Sequence, residues 1–317
     1  MKLITAFFRL IRSPNLFFIA LTQVLFYYCI IIPSLPAAYY LSGYKLTQGI
    51  FFLLVAASVL IAAAGYIIND YFDINIDQVN KPDKVVIAKI INRRWAIAWH
   101  LILTFAGLSL SLYVSLKTSL VIIAANVVCA LLLWFYSTTF KKKLLTGNII
   151  ISALTAWTIL VLYFATNVSL SLVAGELPQI DKAMNRVYKF AALYAGFAFV
   201  ISLVREVVKD IEDMEGDARY NCKTMPIVWG VPPAKVFVAV WLVVLIGALA
   251  ILQFYVFQLG WWLTALYGLL LVMAPLLFIL KKFYRAQAKY EYHDISSLVK
   301  LTMLTGILSM LLFKIYT

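Results

Sequence analysis

Charge is scarce in this chain, and acidic charge is scarcest. Only 13% of the 317 residues are Asp, Glu, Lys or Arg, and 14 are acidic, while 64% are hydrophobic and the mean hydropathy is +0.94. A soluble domain carries about 25% charged and roughly 45–50% apolar residues, so a water-soluble globular protein is excluded. Cysteine is nearly missing. Cys29, Cys129 and Cys222 are scattered, which excludes a disulfide framework and a thiolate metal centre. The two histidines, His100 and His293, stand far apart and form no metal cluster. Glycine is sparse, and no Gly-rich run surrounds Gly147, Gly216 or Gly230, so a phosphate-cradling glycine loop is absent. The opening MKLITAFFRLIRSPN lacks a small-residue cleavage site, and Arg9 and Arg12 interrupt its apolar run. It reads as an amphipathic surface helix over residues 1–14 rather than a cleaved signal.

What is present is a series of long apolar runs. A spanning helix needs about 20 apolar residues. Nine segments qualify, near 16–36, 48–69, 95–116, 118–137, 146–166, 187–209, 233–256, 260–280 and 296–315. The expected fold is all-α, an integral membrane bundle of about nine transmembrane helices in a single domain over 1–317. The net charge of +13 could indicate nucleic acid, but its distribution does not. With the N-terminus placed in the cytoplasm, 21 of the 27 Lys and Arg residues fall on the cytoplasmic side of this topology. Lys45, Lys117, Lys182, Arg186, Lys189 and Lys314 fall on the other. This is the positive-inside bias of a protein in an inner or plasma membrane, so the partner is the lipid bilayer and no nucleic acid is implied.

The acids are not spread out. Asp70, Asp73, Asp77 and Asp83 form one group, and Glu206, Asp210, Glu212, Asp213, Glu215 and Asp217 another. Each group follows an apolar span on the cytoplasmic side. Asp70, Asp73 and Asp77 are spaced i, i+3, i+7, and Asp210, Asp213 and Asp217 repeat that spacing 140 residues later. On a helix each triad points to one side. Like charges on one face repel, so a cation from outside the chain is expected. Hard carboxylate oxygens suit Mg²⁺, which keeps much of its water and shares its coordination with phosphates. Lys81, Lys84, Arg205, Lys209 and Lys223 lie among the acids and suit those same phosphates. Asp83 reads as a loop residue, and Glu212 and Glu215 fall off the triad faces and read as solvated.

These residues resemble the UbiA superfamily of intramembrane prenyltransferases. Asn69-Asp70-Tyr71-Phe72-Asp73-Ile74-Asn75-Ile76-Asp77 fits that family's N-D-x-x-D-x-x-x-D motif, and Asp213-Met214-Glu215-Gly216-Asp217 fits its D-x-x-x-D motif. FYSTTFKKKLLTGN (Phe135–Asn148) is similar to the Tyr-Ser…Lys…Gly-Asn connection, LIRSPN (Leu10–Asn15) to an N-terminal Arg-Pro-x-Asn, and CKTMP (Cys222–Pro226) to Lys-Thr-Leu-Pro. One departure stands out. Asn80-Lys81-Pro82 is followed by Asp83-Lys84-Val85-Val86, where many members have a Ser-Gly turn.

The resemblance implies a nine-helix bundle around a central cavity. It also implies a Mg²⁺ cofactor bridging the two motifs and a polyprenyl diphosphate donor, with a lipophilic acceptor. Carried over residue by residue, Asp70, Asp73, Asp77, Asp210, Asp213 and Asp217 would serve the metal. Asp73, Asp77, Asp213 and Lys141 would carry the catalysis. Asn69, Tyr136 and Lys142 would bind the donor beside Lys209 and Lys223, with Arg12 and Asn15 near the cavity. The motifs look most like the branch whose acceptor is geranylgeranylglyceryl phosphate, and an aromatic or quinone-precursor acceptor is the alternative. A transporter is the rival class, because carboxylates in membranes also mark ion paths. The acids here cluster at one side of the bilayer, whereas a path across it would place them at several depths.

Overall fold

In hydrocarbon a backbone N–H or C=O has no water to turn to, so an apolar run of this length is stable only as a helix. A computed structural model describes residues 2–36, 46–82, 85–166 and 177–316. Lys45, Asp83 and Lys84 lie outside the described residues. Among those described, nine helical segments are long and apolar enough to cross a membrane, one for each run expected: 13–34, 48–72, 93–117, 121–138, 146–166, 179–212, 231–258, 262–285 and 289–316. The only β pairing among the described residues is an isolated bridge between Ile87 and Ile91. The protein is an all-α integral membrane protein.

The elements are α1 (Lys2–Leu10), α2 (Ser13–Phe26), α3 (Gln48–Phe72), α4 (Ile74–Asn80), α5 (Arg93–Lys117), α6 (Val121–Thr138), α7 (Thr146–Thr166), α8 (Leu177–Glu212), α9 (Met214–Arg219), α10 (Met225–Val228), α11 (Val231–Gln258), α12 (Trp262–Tyr267), α13 (Ala274–Arg285), α14 (Lys289–Leu308) and α15 (Met310–Tyr316). Their ends follow local chemistry. Asn92 caps α5 by accepting from the Arg94 N–H at 3.1 Å. Gly230, at φ 89°, makes the turn that Pro232 and Pro233 then convert into α11. Proline inside a span meets the carbonyl four residues back and removes a donor. Both spans with an interior proline widen just before it, into π-turns at Tyr27–Ile31 ahead of Pro33 and at Gly268–Met273 ahead of Pro275. The Leu271 carbonyl, four residues before Pro275, is taken up by the Thr305 hydroxyl at 2.6 Å.

The chain divides into two compact units, residues 1–139 with 157–195, and residues 140–156 with 196–317. In the first, α3 packs against α2, α5 and α6. The approach is close because Gly107 of α5 lies against Ile61, where an added Cβ would stand 2.8 Å from the Ile61 side chain. A buried polar relay ties the same unit together. Trp157 Nε1 donates to Asn126 Oδ1 at 3.0 Å, Asn126 Nδ2 to Ser111 Oγ at 2.8 Å, and Ser111 Oγ to the Gly107 carbonyl at 2.8 Å. In the second unit the lower half of α8 supplies Val204, Val208 and Ile211 to a core shared with Leu242 of α11, Leu276 and Phe283 of α13 and Ile295 of α14.

The Gly107 contact has a measurable consequence. Gly107→Val should destabilise the protein in detergent by about 1–3 kcal/mol through overpacking. Gly49→Val, at a site with nothing within 4 Å, should stay within about 0.5 kcal/mol. Equal melting temperatures for the two variants would show that the α3–α5 approach is not tight.

Candidate functional site

The i, i+3, i+7 spacing predicts one unbroken helical face for each aspartate triad. Each helix instead breaks at its middle aspartate. α3 stops at Phe72 and α4 starts at Ile74, with Asp73 between them at φ −90°, ψ 0°. α8 stops at Glu212 and α9 starts at Met214, with Asp213 between them at φ −95°, ψ 4°. This sparsely allowed bridge region is where active-site residues recur. The hydrogen-bond ladder nonetheless runs through both breaks. Asp73 N–H donates to the Asn69 carbonyl (3.0 Å) and Asp77 N–H to that of Asp73 (2.8 Å). Asp213 N–H donates to the Lys209 carbonyl (2.8 Å) and Asp217 N–H to that of Asp213 (3.2 Å). Two stretches far apart in sequence thus make the same one-residue break, one in each unit.

Around the first motif the groups come from the N-terminus. Arg12 joins α1 to α2 in the left-handed region, at φ 52°, ψ 53°, which costs a residue with a Cβ about 1–2 kcal/mol. Its side chain holds it there. Nη2 donates to Asp70 Oδ1 at 2.6 Å, and the guanidinium lies 5.2 Å from the centre of the Tyr66 ring. Burial alone would lower the Arg12 pKa, but the Asp70 carboxylate, with Tyr66 and Asp77 behind it, outweighs burial and raises it above the ordinary value. Asp70, expected at the metal, therefore already has a cation on one oxygen. Asn15 sits in the first turn of α2 and donates its N–H to the Arg12 carbonyl at 2.8 Å. Asp73 is 3% exposed, Asp77 is half-buried, and the Asn69 Oδ1 is buried with no hydrogen-bond donor among the described residues.

The loop after the first motif explains the departure from Ser-Gly. Val86, Ile87 and Ile91 are buried in one cluster with Ala6 and Leu10 of α1 and Ile74 of α4. The loop is a hydrophobic anchor for the N-terminal helix, and Lys89 Nζ fastens it to the Pro82 carbonyl at 2.7 Å. Lys81, at the end of α4, is half-buried.

Around the second motif the groups come from the α6–α7 connection. Asn148 Nδ2, on α7, donates to Asp210 Oδ2 at 2.8 Å. Asp217 is 4% exposed, and its carbonyl accepts the Cys222 N–H at 3.0 Å. The next residue, Lys223, donates its N–H to the Lys142 carbonyl at 2.8 Å. Lys142 and Lys223 are thereby brought together with their side chains exposed, while Lys141 is half-buried in the same short turn. Lys209 lies one turn before Asp213, its Nζ 4.0 Å from Glu206. Tyr136 is half-buried near the end of α6, in the first unit. Glu215 is exposed as expected, but Glu212 is not solvated. It is 6% exposed and its Oε1 lies 2.9 Å from His293 Nδ1 on α14. Sequence reasoning missed this pair and Asn148–Asp210, because 81 and 62 residues separate the partners and only tertiary packing joins them.

Hard oxygens are what both motifs offer a cation. Among the described residues, no three His, Cys, Asp or Glu side chains converge into a closed cage. A donor set of this kind fits Mg²⁺, which takes its remaining ligands from water and substrate phosphates.

Known proteins resemble this chain in sequence and in fold. A family model described as the UbiA prenyltransferase family matches residues 30–294, across both units. The digeranylgeranylglyceryl phosphate synthase of Methanosphaera stadtmanae is 29% identical over 250 residues, 78% of this chain and 81% of that protein. A solved structure of digeranylgeranylglyceryl phosphate synthase in membranes shares the fold, with a TM-score of 0.58 and 23% identity over 98% of this chain and 99% of that one. So does a UbiA homologue from Archaeoglobus fulgidus bound to DMAPP and Mg²⁺, with a TM-score of 0.54 and 15% identity over 96% of this chain and 98% of that one.

The Arg12–Asp70 pair is testable by itself. A double-mutant cycle of Arg12→Ala and Asp70→Asn, read by thermal unfolding, should give a coupling of about 1 kcal/mol. Strict additivity would mean that the bridge holds nothing in place.

Proposed function

The chain belongs to the UbiA prenyltransferase family, and on that premise we propose that it moves a geranylgeranyl group from its diphosphate to the free hydroxyl of geranylgeranylglyceryl phosphate, with Mg²⁺ as cofactor. The observation that carries this reading is the repeated break at Asp73 and Asp213, with lysines and asparagines gathered beside buried carboxylates. The name of the archaeal relative supports the ether-lipid acceptor. The bias of Lys and Arg supports a cytoplasmic N-terminus and cytoplasmic aspartate motifs, in the inner or plasma membrane.

In this reading, Asp73 and Asp77 of the first motif and Asp213 and Asp217 of the second would each offer carboxylate oxygens to the cation. Asp70 is kept in place by Arg12 and Asp210 by Asn148. Bound there, the cation would neutralise charge on the diphosphate oxygens. Lys141, Lys142, Lys209 and Lys223 add positive charge where the diphosphate gains negative charge as the allylic C–O bond breaks, so they act most strongly on the transition state. Asn69, Tyr136 and Asn15 orient the donor. The acceptor oxygen forms the new C–O bond, diphosphate leaves, and the hydroxyl proton is released. Surrounding apolar helices exclude water, which would otherwise capture the allylic cation. Holding donor and acceptor together removes much of the entropy cost of their meeting.

Turnover of the purified protein with geranylgeranyl diphosphate and Mg²⁺ tests the assignment. Geranylgeranylglyceryl phosphate should yield an ether, and a hydroxybenzoate or dihydroxynaphthoate should yield nothing. A prenylated ring would move the acceptor to the quinone class. EDTA should stop diphosphate release. Asp73→Ala and Asp213→Ala should each lower turnover by about 100-fold or more with expression unchanged, and Lys81→Ala should cost less. Full activity in both aspartate variants would remove the two motifs from the chemistry.

A further inference from the structure

α8 carries a cation that the diphosphate chemistry leaves unused. Arg205 lies eight residues before Asp213, about 12 Å along the axis at 1.5 Å per residue, within the apolar span. Its side chain is 22% exposed, and Nη1 donates to Glu206 Oε1 at 3.1 Å. Its Nε–H is buried and meets no acceptor among the described residues. Lys209 Nζ stands 4.0 Å from the same Glu206 oxygen. Two cations therefore share one Glu206 oxygen, Asp210 lies within electrostatic reach of Lys209, and Arg205 keeps an idle buried donor. Consecutive helix positions do not face each other, so Arg205 must bend round to reach Glu206. An ion pair kept only for folding would not leave a guanidinium N–H unsatisfied, because burying it so costs about 1–3 kcal/mol or more. A largely buried charged side chain on a spanning helix is a functional candidate, and the planar fork of Arg matches the oxygens of a phosphate.

We propose that Arg205 binds the phosphate of the acceptor and makes the enzyme select a phosphate-bearing alcohol over a neutral one; this rests on the ether-forming reading above. On a glyceryl phosphate, every free hydroxyl lies within two carbons of the phosphate ester. When that hydroxyl attacks the allylic carbon, the acceptor phosphate must come close to the departing diphosphate. The two anions repel, so the acceptor needs a cation of its own, set apart from those that hold the donor. Arg205 lies about two turns of α8 away from Asp213, on the membrane side, and has donors to spare.

The test uses the full protein in lipid nanodiscs with geranylgeranyl diphosphate and two acceptors, geranylgeranylglyceryl phosphate and geranylgeranylglycerol, which lacks the phosphate. The wild type should prefer the phosphate-bearing acceptor. Arg205→Gln should lower kcat/KM for that acceptor by about 10- to 100-fold, leaving the phosphate-free acceptor and the donor KM unchanged. Arg205→Lys keeps the charge without the fork and should fall between. Equal losses on both acceptors, a raised donor KM, or a wild type indifferent to the phosphate would overturn the assignment. Should Arg205→Gln fail to fold, Glu206→Gln gives the answer. Releasing Arg205 from its competing carboxylate should lower the KM for the phosphate-bearing acceptor alone, and an unchanged or higher KM would overturn the proposal. A wild type that makes no ether from either acceptor overturns the ether-forming reading together with this one. A wild type that makes the ether, with its preference intact in Arg205→Gln, overturns this one alone.

Discussion

Polar groups within the spans of this protein are governed by the absence of water around them. The backbone satisfies itself as helix, and wherever a proline interrupts, something nearby must take over. Thr305 does so for the Leu271 carbonyl. Side chains obey the same constraint. Gln23, buried in α2, donates to Ser58 Oγ at 3.0 Å and to the Thr158 carbonyl at 2.9 Å, and the Asn126–Ser111–Trp157 relay closes on backbone at Gly107. Carboxylates cannot be treated this way at full depth, so they collect at helix ends. There, opposite charge, amide donors and an external cation are within reach.

The two aspartate breaks are the local answer to that constraint. A straight helix would carry three like charges up one side. The chain instead turns at Asp73 and at Asp213, the middle position of each triad, while the i to i−4 ladder continues. Outer positions are then steadied from elsewhere in the chain: Asp70 by Arg12, Asp210 by Asn148, and Glu212, next to Asp213, by His293. Each steadying group belongs to a different element, so the geometry of the motif depends on how the helices pack and not on the motif alone.

The N-terminal helix illustrates the same dependence. α1 is held by Ala6 and Leu10 against Val86, Ile87 and Ile91 of the loop after the first motif. That loop departs from the pattern of the family it otherwise matches, and the departure exchanges a small-residue turn for an apolar anchor. The anchor bears on Arg12, which follows α1 directly and whose left-handed backbone is sustained by the Asp70 bridge. Loop, helix and motif therefore form one mechanical group.

The sequence alone determined the membrane class, the nine spans and the two aspartate motifs, because hydropathy and acid spacing are local properties that each helix expresses by itself. It also carried the resemblance to the family, through contiguous residues such as Asn69 to Asp77. Tertiary structure decided the rest. It broke the helices at Asp73 and Asp213, paired Arg12 with Asp70 and Asn148 with Asp210, joined Lys142 to Lys223, and buried Glu212 against His293. None of these has a short-range signature. Each of the pairings joins residues that are distant in the chain, and a buried polar group takes as its partner whichever group the packing of other helices brings within about 3 Å.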